Sequence, residues 1–278
     1  MPASQITFAQ TPDGLRQLQR VWPAQGQARG TIVLVHGICE HSGRYERTGE
    51  LFSRAEFDVH MVDLQGHGQT AGVRTYVSSF ELFVNDVEAQ LKRARRQHVP
   101  VILLGHSMGG LIAARYASTS RPQPDLLVLS APALDTDFNP WLRWASPALS
   151  LVAPYFRMAT PIQPGQLTAD TEIEAAFFSD PLVLKTATVR LGSEMFRTMD
   201  VVKAGITSIR LPTYVLHGDA DTIVPARFSE PIGKLPTVTR QVYPGLRHEC
   251  FNEPEGPQVI QDTLDWINTQ LRFINENS

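Results

Sequence analysis

The chain has 278 residues, of which 42% are hydrophobic and 19% charged, with a formal net charge of −3. That length suits one large α/β domain with room for an insertion, and the apolar share excludes a disordered chain. The slight acidity gives no long-range pull toward nucleic acid, and two cysteines, Cys39 and Cys250, are too few for a disulfide framework.

The N-terminal stretch Met1-Pro2-Ala3-Ser4-Gln5 has neither a charged n-region nor an apolar h-region, so no signal peptide is read there. No run of about 18 uninterrupted apolar residues offers a membrane span, and the expectation is a cytoplasmic protein. Residues 6–22 hold two short β-type runs around Thr11-Pro12-Asp13-Gly14, which predicts a hairpin. Thr31-Ile32-Val33-Leu34-Val35 is a continuous apolar run without alternation, as in a strand buried on both faces of a parallel sheet. The pattern recurs at 57–63 before Gly66-His67-Gly68, at 99–104 before Gly105-His106-Ser107, and at 126–129 before Ser130-Ala131-Pro132. Segments 45–55, 80–97 and 109–118 carry apolar residues three and four apart and predict helices. Strand–helix–strand alternation predicts a mostly parallel, doubly wound sheet. The basic run Lys92-Arg93-Ala94-Arg95-Arg96 falls on the second helix and reads as a solvated face. From about 132 to 208 the pattern breaks into a stretch rich in Trp, Phe, Met, Pro and Leu, an insertion of helical character. Strands return at 213–217 and 239–243. A last amphipathic helix at 257–273 presents Val259, Ile260, Leu264, Ile267 and Leu271 on one face.

The sharpest local signal is Gly105-His106-Ser107-Met108-Gly109, a G-x-S-x-G turn between a buried strand and a helix. Small residues two before and two after the serine let backbones pass close together, and the turn lifts the Ser107 hydroxyl above the sheet edge. A serine hydroxyl needs a base. Of eight histidines, His248 alone follows the late acidic residues, in the loop Pro244-Gly245-Leu246-Arg247-His248, and so satisfies the chain order Ser, Asp, His. His36, His41, His67 and His106 lie in loops at the same sheet edge, where structural and substrate-facing roles are both open. The orienting acid belongs in Gly218-Asp219-Ala220-Asp221, where spacing alone does not separate Asp219 from Asp221. Two backbone N–H groups are expected to hold an oxyanion, that of Met108 after the nucleophile and that of Ile38 after the strand 31–35. Neither cysteine has a partner at zinc-ligand spacing, and Gly66-His67-Gly68 lacks the rest of a phosphate loop.

Longer motifs then carry a resemblance. His36-Gly37-Ile38-Cys39-Glu40-His41-Ser42-Gly43-Arg44-Tyr45 resembles the HGxxEHSGRY loop of the monoacylglycerol lipase and lysophospholipase group of α/β-hydrolases. Asp63-Leu64-Gln65-Gly66-His67-Gly68-Gln69-Thr70 is similar to that group's D-x-x-G-H-G-x-S, Gly105–Gly110 to its GHSMGG, and Phe178-Ser179-Asp180-Pro181-Leu182 to the stretch that closes its cap. Gly218-Asp219-Ala220-Asp221 looks like its G-x-x-D loop, which implies Asp221 as the acid. The resemblance runs from about 30 to 266. It implies an α/β-hydrolase core over 1–134 and 209–278 with a cap over 135–208, and a catalytic triad of Ser107, Asp221 and His248. The implied activity is cleavage of a lipid ester, foremost monoacylglycerol to glycerol and fatty acid, without a cofactor. Lysophospholipids and short-chain esters are the alternative substrates. Acyl transfer and a catalytically dead binding protein are rival functions. The cap stretch 140–156, with Trp141 and Trp144 flanking Arg143, fits either a membrane-facing rim or an ordinary packed helix. Ile38, Cys39 and Thr70 depart from the group's usual residues. The place of Cys39 beside the oxyanion loop carries the expectation that thiol reagents inhibit.

Overall fold

The computed structural model describes residues 4–11, 13–95, 99–160 and 162–276. Met1, Pro2, Ala3, Pro12 and Arg96 lie outside them. An eight-stranded sheet runs through the core. Its strands are β1 (Gln5–Gln10), β2 (Arg16–Trp22), β3 (Gly30–Val35), β4 (Phe57–Val62), β5 (Val101–His106), β6 (Leu126–Ser130), β9 (Thr213–Gly218) and β10 (Val238–Tyr243). The order is β1-β2-β4-β3-β5-β6-β9-β10. β1, β2 and β4 pair antiparallel in sequence, and every pair from β4 to β10 is parallel. The hairpin and the parallel sheet are as expected.

Alternate residues of each central strand enter opposite apolar layers, as a two-residue repeat demands. Val33, Leu103 and Leu127 join one cluster, with α2 (Glu81–Ala94) and α3 (Met108–Ala117). Ile32, Leu104 and Val128 join the other, with α1 (Glu46–Arg54) and α8 (Gly256–Glu276). The five apolar residues expected on one face of α8 are all buried there. β5 starts at Val101, two residues later than expected. Pro100 has no N–H to give a ladder and contributes only its carbonyl, to Thr31 (2.8 Å). Of the basic run, Lys92 pairs with Glu88 at 2.9 Å on the surface of α2 and Arg95 donates to backbone carbonyls of Pro122 and Gln123, so these side chains are used locally.

Between β6 and β9 the chain leaves the sheet. It forms α4 (Pro140–Val152), α5 (Thr171–Ser179) and α6 (Val189–Gly205), with a two-stranded antiparallel ribbon of β7 (Arg157–Ala159) and β8 (Thr186–Thr188). Three-residue strands are too short to leave an alternation signal, which is why the sequence showed only helical character. A short α7 (Glu230–Gly233) precedes β10. Among the described residues no helix is long and apolar enough to cross a membrane.

Candidate active site

Ser107 stands between β5 and α3 with φ 53° and ψ −117°, a left-handed conformation that side-chain-bearing residues rarely adopt. Its surroundings hold it there. Its N–H donates to Ser130 O at 3.0 Å, and its carbonyl accepts from the N–H groups of Leu111 (3.1 Å) and Ala133 (3.0 Å). The flanking glycines are a packing requirement. A Cβ on Gly105 would lie 2.2 Å from the Gly109 carbonyl oxygen, and one on Gly109 would lie 2.1 Å from that of Val35. Both obstacles are backbone and cannot swing aside.

Asp221 follows β9 and is buried. Its Oδ1 accepts from the N–H groups of Ile223 (2.8 Å) and Val224 (2.9 Å), while Oδ2 lies 2.7 Å from His248 Nδ1 and 3.3 Å from His217 Nε2. Asp219 is exposed and accepts from Gly245 N–H at 2.6 Å. Burial and geometry therefore separate the two carboxylates that spacing left open. Burial alone would raise the Asp221 pKa. The charge of His248, hydrogen bonds from His217 and His248, and the Val224 N–H outweigh burial and hold the acid well below the usual carboxylate range. His248 shows the mirror case. Burial disfavours its imidazolium, but the Asp221 charge and hydrogen bond, aided by Glu249 and Glu40, lift its pKa above the ordinary 6.5. With Nδ1 committed to Asp221, the lone pair of neutral His248 sits on Nε2.

The ring of His106, the residue before Ser107, has its centroid 4.8 Å from that of His248. Among the described residues no hydrogen bond joins the Ser107 hydroxyl to the ring. Met108 is the first residue of α3, where N–H groups have no intrahelical acceptor. Among the described residues no loop or turn carbonyl accepts from the N–H of Ile38 or of Met108. The neighbouring Gly37 N–H is taken, 2.5 Å from Glu40 Oε1.

The other loop histidines have structural work. His36 Nδ1 donates to Gly37 O (2.7 Å) and Nε2 accepts from Leu64 N–H (3.0 Å), and burial lowers its pKa. Burial, then the neighbouring His36, lowers His67 to about 3, and burial, then His248, lowers His106 to about 4, so both stay neutral. His41 Nδ1 accepts from Gly43 N–H (3.1 Å), so Nε2 donates to Asp180 (2.9 Å) in the segment after α5. Asp63 accepts from Ser42 N–H (2.8 Å), Ser42 Oγ (2.6 Å) and Gln69 N–H (2.8 Å), tying the loop after β3 to the loop after β4. Cys39 is fully buried, and burial pushes its thiol up to about 12, so it presents no thiolate to a reagent. The expected sensitivity to thiol reagents therefore has no physical basis in the folded chain.

Above Ser107 lies a cavity of about 210 Å³. Its walls come from Ile38, from Leu142 and Leu149 of α4, from Met195, Phe196 and Met199 of α6, and from Ile223 and Val224 beside Asp221. α4 packs on one side only. One face lines the cavity, while Trp141, Trp144, Leu151 and Val152 are 76 to 87% exposed. The sequence reading missed a buried cluster of Glu40, Arg44, Tyr45 and Glu249 behind the site. Its signals were an i,i+4 acid–base pair in the loop after β3 and a carboxylate immediately after His248. Among the described residues no group of three or more His, Cys, Asp or Glu side chains is arranged to hold a metal ion.

Comparison with known proteins places this geometry. A family model described as Hydrolase_4, serine aminopeptidase S33, matches residues 26–255. The chain is 33% identical to a monoacylglycerol lipase of Mycolicibacterium smegmatis, over 93% of this chain and 95% of that protein. It is 30% identical to phospholipase YtpA of Bacillus subtilis, over 83% and 92%. The crystal structure of a monoacylglycerol lipase from Paleococcus ferrophilus superposes with a TM-score of 0.83 at 28% identity, covering 91% of this chain and 98% of that one. An elbow serine, a mostly parallel eight-stranded sheet and relatives aligned nearly end to end lead to one assignment: the chain belongs to the Hydrolase_4 (serine aminopeptidase S33) family of α/β-hydrolases, as a monoacylglycerol-lipase-like serine hydrolase.

Proposed function

We propose that the protein cleaves carboxylic esters of lipids, foremost monoacylglycerol into glycerol and fatty acid, through a Ser107-His248-Asp221 triad. The observation that carries this reading is the 2.7 Å His248–Asp221 contact, packed against the ring of His106, whose chain neighbour Ser107 is held in a strained turn under an apolar cavity. Substrate closes the remaining gap, since catalytic hydrogen bonds are often long before a ligand binds. His248 Nε2 takes the Ser107 proton as Oγ attacks the ester carbonyl carbon. The carbonyl oxygen becomes an oxyanion, held by the N–H groups of Ile38 and Met108. Asp221 stabilises the imidazolium, which then protonates the departing alcohol oxygen as the C–O bond breaks. In the acyl-enzyme that remains, water gives a proton to His248 and attacks the same carbon. Collapse of the second oxyanion returns the proton to Ser107 and frees the acid.

Residues 135–208 act as the cap. Their inner face receives the acyl chain, and the exposed tryptophans of α4 rest on a lipid surface, where an amphipathic ring is stable. The 30% identity to a phospholipase supports lysophospholipid as the second substrate class. Turnover of a monoacylglycerol, a lysophospholipid and a short p-nitrophenyl ester, measured side by side, ranks the three. Ser107→Ala is expected to abolish all of them, and near-normal turnover by that variant would refute the triad.

A further inference from the structure

Arg44 is buried behind the site, its side chain 8% exposed, between two carboxylates that are buried as deeply. One guanidinium nitrogen donates to Glu40 Oε2 at 2.5 Å and to Glu249 Oε1 at 2.7 Å, and the second donates to Glu249 Oε2 at 2.8 Å. The pairing with Glu249 is therefore a two-pronged fork, the geometry with the tightest angular preference. The far ends of both carboxylates bear on the site. Glu40 Oε1 holds the N–H of Gly37, the residue before Ile38, and also accepts from the Tyr45 hydroxyl at 2.7 Å. Glu249 is the residue after His248, and Asn252 Nδ2 braces its Oε2 at 2.8 Å. Phe177 of α5 closes the pocket, with the guanidinium carbon 4.5 Å from its ring centroid.

We propose that Arg44 is a positioning residue whose guanidinium, by bridging Glu40 and Glu249, sets the spacing between the loop that carries the Ile38 N–H and the loop that carries His248. These loops follow β3 and β10, separate strands of the sheet. The two loops also share an apolar cluster through Tyr45, Leu246, Cys250 and Phe251, and to that non-directional packing the bridge adds hydrogen bonds of fixed direction. The oxyanion donor and the base must nonetheless register on one carbonyl group, where a misplacement of about 1 Å costs on the order of 100-fold in rate. A buried fork is stiff enough to supply that register, whereas a lysine is a single point charge that cannot grip both carboxylates in fixed orientation. The inference rests on the triad and oxyanion assignments proposed above.

The test compares wild type with Arg44→Lys and Glu249→Gln, each checked by thermal unfolding. The readouts are kcat and KM for a short p-nitrophenyl ester, inhibition by a trifluoromethyl ketone, and inhibition by the matching secondary alcohol. The ketone adds the Ser107 oxygen and develops the oxyanion, while the alcohol only fills the cavity. Arg44→Lys is expected to lower kcat by about 100-fold with KM within about threefold, and to weaken the ketone in step with kcat/KM while the alcohol binds as before. If Arg44→Lys does not fold, Glu249→Gln carries the test. Its amide keeps the shape and one acceptor, and the same pattern is expected at about tenfold. Wild-type kcat and ketone affinity in a folded variant would overturn the proposal, as would ketone and alcohol weakening equally. Ser107→Ala run in parallel separates the two levels. An active Ser107→Ala removes the triad reading itself, whereas a dead Ser107→Ala beside a normal Arg44→Lys removes only the bridge.

Discussion

Replacing Ser107 by glycine is expected to make the protein more stable than replacing it by alanine, although both abolish activity. The backbone at 107, with φ 53° and ψ −117°, lies where a Cβ collides with its own chain and glycine does not. A residue held in such a region stores about 1–3 kcal/mol. Alanine keeps the Cβ and the strain, and both variants lose the same hydroxyl. Glycine releases the strain but loses more freedom on folding, about 0.5–1 kcal/mol. It also gives up one carbon that borders the cavity, worth less than the roughly 0.8 kcal/mol of a fully buried methylene. From the middle of the strain range the balance favours glycine by somewhat under about 1 kcal/mol, a rise of roughly 2 °C in Tm for a chain of this size. Calorimetry or thermal circular dichroism on Ser107→Gly and Ser107→Ala, both verified inactive, measures it. A Ser107→Gly protein no more stable than Ser107→Ala would show that the elbow stores no usable strain.

The acid limb of kcat/KM is expected to inflect above 6.5, because His248 must be neutral to act as base and its pKa is raised. Asp221→Asn removes the chief lifting charge and leaves burial in control, so the limb should move to lower pH while the plateau falls by roughly 10⁴-fold. A pH–rate profile of both proteins decides this, and an unmoved limb contradicts it. Gly109→Ala drives a Cβ to 2.1 Å from the Val35 carbonyl, and should cost more than about 3 kcal/mol in denaturant unfolding as well as the activity. Gly192→Ala in α6 meets nothing within 4 Å and should gain about 0.5–1 kcal/mol from helix propensity in the same assay. The pair Trp141→Ser and Trp144→Ser is expected to slow hydrolysis of monoacylglycerol in vesicles by at least about tenfold, since each ring is worth over 1 kcal/mol when it leaves water. A soluble short ester should be cleaved at the wild-type rate by that double variant, and equal losses on both substrates would argue against surface docking.

The core architecture was legible because its cause is local. A strand buried on both faces must be apolar at every position, and the runs read at 31–35, 99–104 and 126–129 announce this without reference to anything distant, the second starting two residues before its strand. The elbow was legible as a motif, but only Gly105 answers to a limit nearby in the chain, the Gly109 carbonyl, whereas Gly109 answers to the carbonyl of the distant Val35 on β3. The ribbon β7–β8 was not, because three residues give no period to detect. Nor did sequence separate the two faces of α4, since the lining and the exposed side share one apolar composition.

At the site, the sequence by itself determined the kinds of groups and their order along the chain: an elbow serine, two late carboxylates, and one histidine after them. Spacing left open which carboxylate meets the imidazole and the motif resemblance implied Asp221, but the physical ground came with the tertiary structure, which buries Asp221 against His248 and leaves Asp219 in solvent. The Glu40–Arg44–Glu249 bridge is likewise invisible until the chain folds, because Arg44 and Glu249 stand 205 residues apart. Burial and orientation are properties of packed surfaces. They set the pKa values and the hydrogen bonds on which the chemistry turns, and a linear pattern specifies neither.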